Sequence, residues 1–299
     1  MKNLSAMLLA ACACAMSLQV LAETPDKAPS VAVSEIKDGI YLLQGRGGNV
    51  VAFTGADGVL LIDNDYAPLA GAYVTALEKV APEVDAPQYV INTHWHSDHT
   101  GNNGFWAQKN SVLVAQVNVR ERMSTRQDMK TLDTVVEPSP AKALPVITYD
   151  SSMALHFNGE DIQLEHFANG HTDGDSVVFF SKANVVHVGD HFFLDAFPFV
   201  DMDSGGNLAS YVANVGALLD RFDADTIIVP GHGTKVASKA DLQRFHDMIL
   251  ATSTIVQEGT AKGLSVDQLV QRGLGEEWAT WGKGFVNEAL WIQTIAASQ

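Results

Sequence analysis

Thr93-His94-Trp95-His96-Ser97-Asp98-His99-Thr100-Gly101 places three of the chain's ten histidines within six residues, with an aspartate among them. His94 and His96 are two apart, so in an extended turn their imidazoles point the same way, while Trp95 between them turns away. Asp98 and His99 follow where the chain can turn toward a neighbouring position. The spacing suits two adjacent ions better than one. Just upstream, Gln88 to Asn92 reads as a strand. The cluster therefore lies immediately past a strand end, where α/β architectures carry chemistry.

Three further residues downstream have the same setting. His171 lies in Asn169-Gly170-His171-Thr172, after an apolar strand from Ile162 to Phe167. Asp190 follows Val185 to Gly189, and His232 stands between Gly231 and Gly233 past Thr226 to Pro230. Taken alone, a histidine is usually a satisfied polar residue, and an aspartate after a strand is a turn or cap residue. The flanking glycines change the reading of the histidines, because they let backbone approach closely at a tight site.

Around these points the chain reads as strands and helices, then strands, then helices. Residues 31–62 form short strands about a Gly55-Ala56-Asp57-Gly58 turn. Leu69, Tyr73, Leu77 and Val80 repeat at helical spacing and predict a helix from Pro68 to about Val80. A short helix over Asn103 to Gln108 and a strand over Val112 to Ala115 follow. Residues 116–145 read as a helix and then a surface excursion. Strands are expected at Val146 to Tyr149, Met153 to Phe157, Ile162 to Phe167, Ser176 to Phe180 and Val185 to Val188, with Asn158-Gly159 as a hairpin turn. Asn207 to Leu219 is helical, and Thr226 to Val229 is a buried strand of the parallel kind. Ser238 with Asp241, and Ser265 with Gln268, are capping pairs for two helices of a helical tail, and Phe285 to Ile295 predicts a last one. No second domain boundary is visible.

The elements THWHSDHTG at 93–101, GHT at 170–172, GD at 189–190 and GHG at 231–233 occur in the order found in metallo-β-lactamase-like hydrolases. The chain resembles that superfamily from the Asp63 region to His232. The resemblance implies an α/β protein of αββα four-layer architecture, a single domain with a helical C-terminal tail. It places His94, His96 and His171 on a first ion, Asp98, His99 and His232 on a second, and Asp190 between them. Residue chemistry agrees: three neutral imidazoles leave a zinc ion an open position for water, the catalytic arrangement. Two Zn2+ per chain are expected, with Fe2+ or Mn2+ as substitutes, because a nitrogen and oxygen site discriminates weakly among them. A metal-bound hydroxide oriented by Asp98 would attack an ester, lactone, thioester or β-lactam carbonyl. No G-x-S-x-G elbow offers a serine route.

Within that superfamily the residues leave several activities open. Glyoxalase-type thioesterases share the bridging aspartate, but Lys235, Lys239 and Arg244 match no glutathione grip. Asp190 stands where the cysteine-containing β-lactamases carry cysteine and where the second-site histidine group typically carries serine. Weak lactam hydrolysis stays open beside phosphodiester hydrolysis and a metal-retaining periplasmic binding protein.

The amino terminus predicts export. Lys2 precedes a largely apolar, alanine-rich run from Leu4 to Leu18, and Val20-Leu21-Ala22 has the small residues of a cleavage site. A signal peptide over 1–22 leaves a hydrolase domain over 23–299, periplasmic or secreted. Leu9-Ala10-Ala11-Cys12 also resembles a lipoprotein signal, which would anchor the protein through Cys12. Both cysteines, Cys12 and Cys14, lie in the leader, so the mature chain has no thiol for a disulfide or a ligand. No later stretch is long and apolar enough for a transmembrane segment. The formal charge of −16 repels phosphate backbones and argues against nucleic acid as a partner, leaving a small-molecule substrate.

The remaining aromatic and histidine residues have two readings each. The four phenylalanines of Phe192 to Phe199 either form an apolar substrate wall or anchor that loop in the core. His191 either orients a ligand or meets substrate. His156, His166, His187 and His246 are expected to be structural or surface residues. Trp278 and Trp281 either cover the cleft or, as expected, pack on the sandwich.

Overall fold

Apolar residues run unbroken through most of the strands because both faces of the sheets are covered. The computed structural model describes residues 29–299. The proposed leader, with its cleavage point after Ala22 and the alternative anchor at Cys12, lies outside them. In chain order, β1 (Ala32–Lys37), β2 (Ile40–Gln44), β3 (Val50–Gly55) and β4 (Gly58–Ile62) precede α1 (Ala70–Val80), β5 (Tyr89–Asn92), α2 (Ser97–Thr100) and α3 (Asn103–Gln108). β6 (Val112–Gln116) leads through α4 (Val117–Ser124) to a hairpin of β7 (Gln127–Met129) and β8 (Thr134–Val136). Then come β9 (Ile147–Tyr149), β10 (Ser152–Phe157), β11 (Glu160–His166), β12 (Ser176–Phe180) and β13 (Val185–His187). α5 (Leu208–Arg221), β14 (Ile227–Val229), α6 (Lys239–Ala261), α7 (Val266–Arg272) and α8 (Glu288–Ala297) follow.

One sheet has the order β1-β2-β3-β4-β5-β6-β9, antiparallel up to β4 and parallel beyond it. The other runs β10-β11-β12-β13-β14, antiparallel except for the parallel pair β13 and β14. Alternation along each strand sorts the side chains into layers. Leu42, Val51 and Ile62 of the first sheet meet Leu164, Val178 and Phe180 of the second. Leu43, Val50 and Leu61 face outward against Tyr73 and Leu77 of α1 and Trp106 of α3. Val177, Phe179 and Val186 face the other way against α5, α6 and α8 through Tyr211, Phe245 and Trp291. Helix, sheet, sheet and helix make the expected αββα sandwich. No helix among the described residues is long and apolar enough to cross a membrane.

Both predicted capping boxes are present, Ser238 with Asp241 on α6 and Ser265 with Gln268 on α7. Three local expectations are corrected. The helix expected from Pro68 begins as a 3-10 turn over Ala67–Leu69 before α1. The last helix starts at Glu288, not Phe285, because the Asn287 side chain accepts from Leu290 N and caps it there. The surface excursion contains the β7–β8 hairpin, whose three-residue strands are too short for periodicity to reveal.

The ends of β4, β5, β13 and β14 meet at one edge of the sandwich. Thr93 O accepts from Ser176 N at 2.8 Å, Asn49 N donates to Gly231 O at 2.7 Å, and Gly231 N donates to Gly189 O at 2.8 Å. The first two bonds sew the two sheets together where the histidine motifs emerge, and the third ties the ends of β13 and β14.

Candidate metal centre

His94 leaves the end of β5, His96 is the N-cap of α2, and Asp98 and His99 lie within that single helical turn. The turn after His96 is what sends the second half of the motif to a neighbouring position. His171 follows β11 by a loop, Asp190 follows β13, and His232 follows β14. Gly231 is required beside them, since a Cβ there would fall on the Asp190 carboxylate. All seven sequence-predicted residues converge. Ligand atoms of His94, His96, His171 and Asp190 form one group, and those of Asp98, His99 and His232 form another, each within 4.8 Å.

Hydrogen bonding at the far side of each ring decides what faces inward. His171 Nδ1 donates to the carbonyl of Phe199 at 2.7 Å, and a carbonyl only accepts, so Nε2 carries the lone pair. His96 Nε2 donates to Asp201 at 2.9 Å, which leaves its Nδ1 as the lone pair. These two lone pairs stand 2.9 Å apart, and His94 Nε2 is 3.1 Å from the same His96 atom. Thr93 Oγ1 donates to Asp63 at 2.8 Å and so accepts from His94 Nδ1 at 3.1 Å, turning that ring's lone pair inward too. A proton on His94 or His171 does not resolve the crowding. Burial pushes His94 well below the usual imidazole range and His171 down to about 4. A divalent cation among three lone pairs does, and the donor set fits one.

In the second group carboxylates crowd the imidazoles. His99 Nδ1 donates to Asp63 at 2.7 Å, so its Nε2 faces Asp190 Oδ1 at 3.2 Å, His232 Nε2 at 3.4 Å and Asp98 Oδ2 at 3.5 Å. His232 Nε2 is 3.2 Å from Asp98 Oδ2. Asp190 spans the groups: Oδ2 lies 3.4 Å from both His171 and His232, while Oδ1 turns to His99. Although His99 is near, Oδ1 is buried without a well-directed hydrogen bond. An ionised buried oxygen left so is costly unless a cation meets it. Burial lowers the His232 pKa, but Asp190 and Asp98 outweigh it and raise the ring to about 9. At neutral pH a proton would thus hold the place of a cation, and uptake of an ion there expels it. Affinity at this position rises as pH climbs toward 9.

Sequence reasoning missed the residues that aim the ligands. Asp63 accepts from Thr93 N at 2.8 Å, Thr93 Oγ1 and His99, and Asp201 accepts from His96. The available signal for Asp63 was its place directly past β4, matching that of Asp190 past β13. Its backbone φ of 61° is one aspartate tolerates. Asp63→Asn leaves one acceptor oxygen for three donors. We expect it to weaken the second ion 10–100-fold, read as a Kd by metal titration. An unchanged Kd would contradict the assignment.

A cavity of about 580 Å³ opens over both groups, with Asp98, Asp190, His96 and His232 in its wall. The phenylalanine loop divides between its two readings. Phe193 (stacked on His232), Phe197 and Phe199 line the cavity, whereas Phe192 packs into the core against Phe245. Trp95 turns from the ligand atoms as expected, yet its ring lies 4.8 Å from that of His96 and also lines the cavity. His191 is buried behind Asp190, stacked on Tyr211, and does not reach the cavity, so it is no substrate contact. His187 is buried on Asn49 O, His166 bonds Asp175 O and His156 pairs with Asp161 at the surface. Trp281 packs against Phe245 and Trp278 against Trp281, away from the cavity.

No curated protein matches the chain significantly. Among solved structures it is similar to the DIM-1 metallo-beta-lactamase, with 16% identity over 75% of this chain and 99% of that one, at a TM-score of 0.59. A metallo-beta-lactamase from Pontibacter korlensis gives 15% identity, 74% and 99% coverage, and a TM-score of 0.59. The sec-alkylsulfatase Pisa1 from Pseudomonas sp. gives 14% identity and a TM-score of 0.65, with 89% of this chain spanning 49% of that one. At such identities the likeness is one of fold. The family model described as Metallo-beta-lactamase superfamily matches residues 43–232, from β2 to the last candidate ligand. With its four layers and paired groups of histidine and aspartate, the chain belongs to the metallo-beta-lactamase superfamily, and its site supports metal-dependent hydrolase chemistry.

Proposed function

We propose that the protein is an exported dinuclear zinc hydrolase that cleaves a carbonyl bond in a small, largely apolar ester, lactone, thioester or amide. His94, His96 and His171 would hold one ion, Asp98, His99 and His232 the other, and Asp190 would lie between. Ions so held would polarise a carbonyl and make water acidic enough to attack at neutral pH. Asp98 lines the cavity, and its carboxylate would orient the attacking water. Burial would raise that carboxyl, but His99 and His232 outweigh it and hold it well below the usual range. Phe193, Phe199 and Trp95 exclude bulk water from the same wall, which strengthens fixed charges there.

The observation that carries the carbonyl reading is the character of this cavity. It is mostly apolar, and outside the two ligand groups only Arg46 and Arg122 among its lining residues are cationic, with Arg122 held by Asp173 at 2.7 Å. An apolar wall favours a substrate that brings little charge of its own to the reacting bond, as a carbonyl compound does and a phosphodiester does not. The test is a matched panel of lactones, thioesters, β-lactams, phosphodiesters and sulfate esters with zinc-loaded protein. A carbonyl substrate should give the highest kcat/KM. A phosphodiester or sulfate ester ahead of every carbonyl substrate by a hundredfold, about 2.7 kcal/mol, would reject the reading.

A further inference from the structure

Charge is unevenly placed around the cavity. Arg122 is committed to Asp173 and to Gln127 Oε1 at 3.0 Å. Arg46 is exposed, and no carboxylate among the described residues lies within ion-pair distance of its guanidinium. Its backbone, by contrast, is fastened. Arg46 N and Gly47 N donate to the buried Asp65 carboxylate at 3.0 and 2.9 Å, and Gly48 N donates to Asp98 O at 3.2 Å. A Cβ at Gly48 would strike the His99 ring, so this loop lies directly on the second ligand group. In a chain of charge −16, a loop fastened through its backbone thus presents at the cavity wall a cation that has no ion-pair partner among the described residues.

Other parts of the wall are unlike it. Met129, Leu132 and Val136 come from the β7–β8 hairpin, which Asp203 pins by accepting from Thr131 N at 3.0 Å and Thr131 Oγ1 at 3.1 Å. Phe285 leans edge-on over Phe199, with ring centroids 5.6 Å apart, yet remains 70% exposed. So large an apolar surface at a cavity rim is an unfinished contact. Phe285 lies in the tail, beyond the residues 43–232 that define the family match. Glu137, exposed just past β8, disfavours an anion on the hairpin side.

Resting on the hydrolase reading above for where the reacting bond lies, we propose that the cleft takes amphiphilic anions. The apolar body would lie between the hairpin and Phe285, and a carboxylate- or sulfate-type oxyanion would sit on Arg46. Arg46 and Phe285 are then specificity-determining residues in the wall of one cavity.

The test uses zinc-loaded protein and ester pairs of equal length that end in a carboxylate or in a neutral amide. The anionic member should have the higher kcat/KM, and Arg46→Gln should reduce the anionic-to-neutral ratio at least tenfold. Phe285→Ala should reduce the ratio of long-chain to acetyl esters at least fivefold. Binding of decanoate, decyl sulfate and decanol, followed by quenching of tryptophan fluorescence, separates the two oxyanions and needs no turnover. Both anions should bind more tightly than the alcohol, with a preference that falls in Arg46→Gln. An anion preference retained in Arg46→Gln, or no preference in the parent protein, overturns the proposal. An unchanged chain-length ratio in Phe285→Ala overturns its apolar half. Arg46-dependent anion binding without hydrolysis of any ester would instead sink the hydrolase reading and leave the binding assignment standing.

Discussion

His171→Ala should lower kcat/KM at least a thousandfold while moving Tm by only a few degrees in excess zinc. The first number is about 4 kcal/mol of transition-state stabilisation, the scale expected when one of three imidazoles is lost from a reacting centre. His171 Nε2 lies 2.9 Å from His96 Nδ1 and 3.4 Å from Asp190 Oδ2, so its removal opens the first ligand group. The fold has other holds on this loop. Thr172 N donates to Asp175 at 2.9 Å, and His171 O accepts from Asp201 N at 2.9 Å whatever side chain stands there. Asp98→Ala should behave alike, because Asp98 lines the cavity rather than the core. Excess zinc is essential to the comparison, since lost ions would lower Tm through linkage alone. Activity within a few-fold of the parent in both variants would reject these roles.

Removing the ions should abolish activity and lower Tm by on the order of 10 °C, with both restored by zinc. Free metal at a thousand times Kd stabilises the folded state by about 4 kcal/mol, and a protein of this size shifts roughly 2–4 °C per kcal/mol. The structural cause is the inward lone pairs of His94, His96 and His171 and the unsatisfied Asp190 Oδ1, all buried together. Without cations that arrangement must gather protons or spread apart. Paired melting curves with and without a chelator measure it. An unchanged Tm with lost activity would mean that the folded state gains nothing from the ions, contrary to this account.

Much of this was legible in the sequence because strand ends and ligands coincide. Val59 to Ile62, Val177 to Phe180 and Val185 to Val186 are apolar on both faces, as strands of covered sheets are. His94 and His96 announce themselves by spacing, and the glycines around His232 by the close approach they permit. Asp63 and Asp201 were not legible, since an aspartate that orients a ligand looks like any turn residue until the ring it serves is placed beside it. The cavity wall was hidden for another reason. It is assembled from segments far apart in the chain: Arg46, Trp95, the β7–β8 hairpin, the phenylalanine loop and Phe285. The hairpin escaped periodicity because its strands have three residues each, and Phe285 was drawn into a helix that Asn287 in fact begins.

The central claim is that seven side chains hold two ions, and counting the ions tests it most directly. Elemental analysis and native mass spectrometry of the purified protein after mild dialysis should give close to two zinc ions per chain. His232→Ala should retain close to one, since the first ligand group is complete without it. A parent protein that holds no transition metal and takes up none on titration, or that saturates at a single ion, would contradict the account.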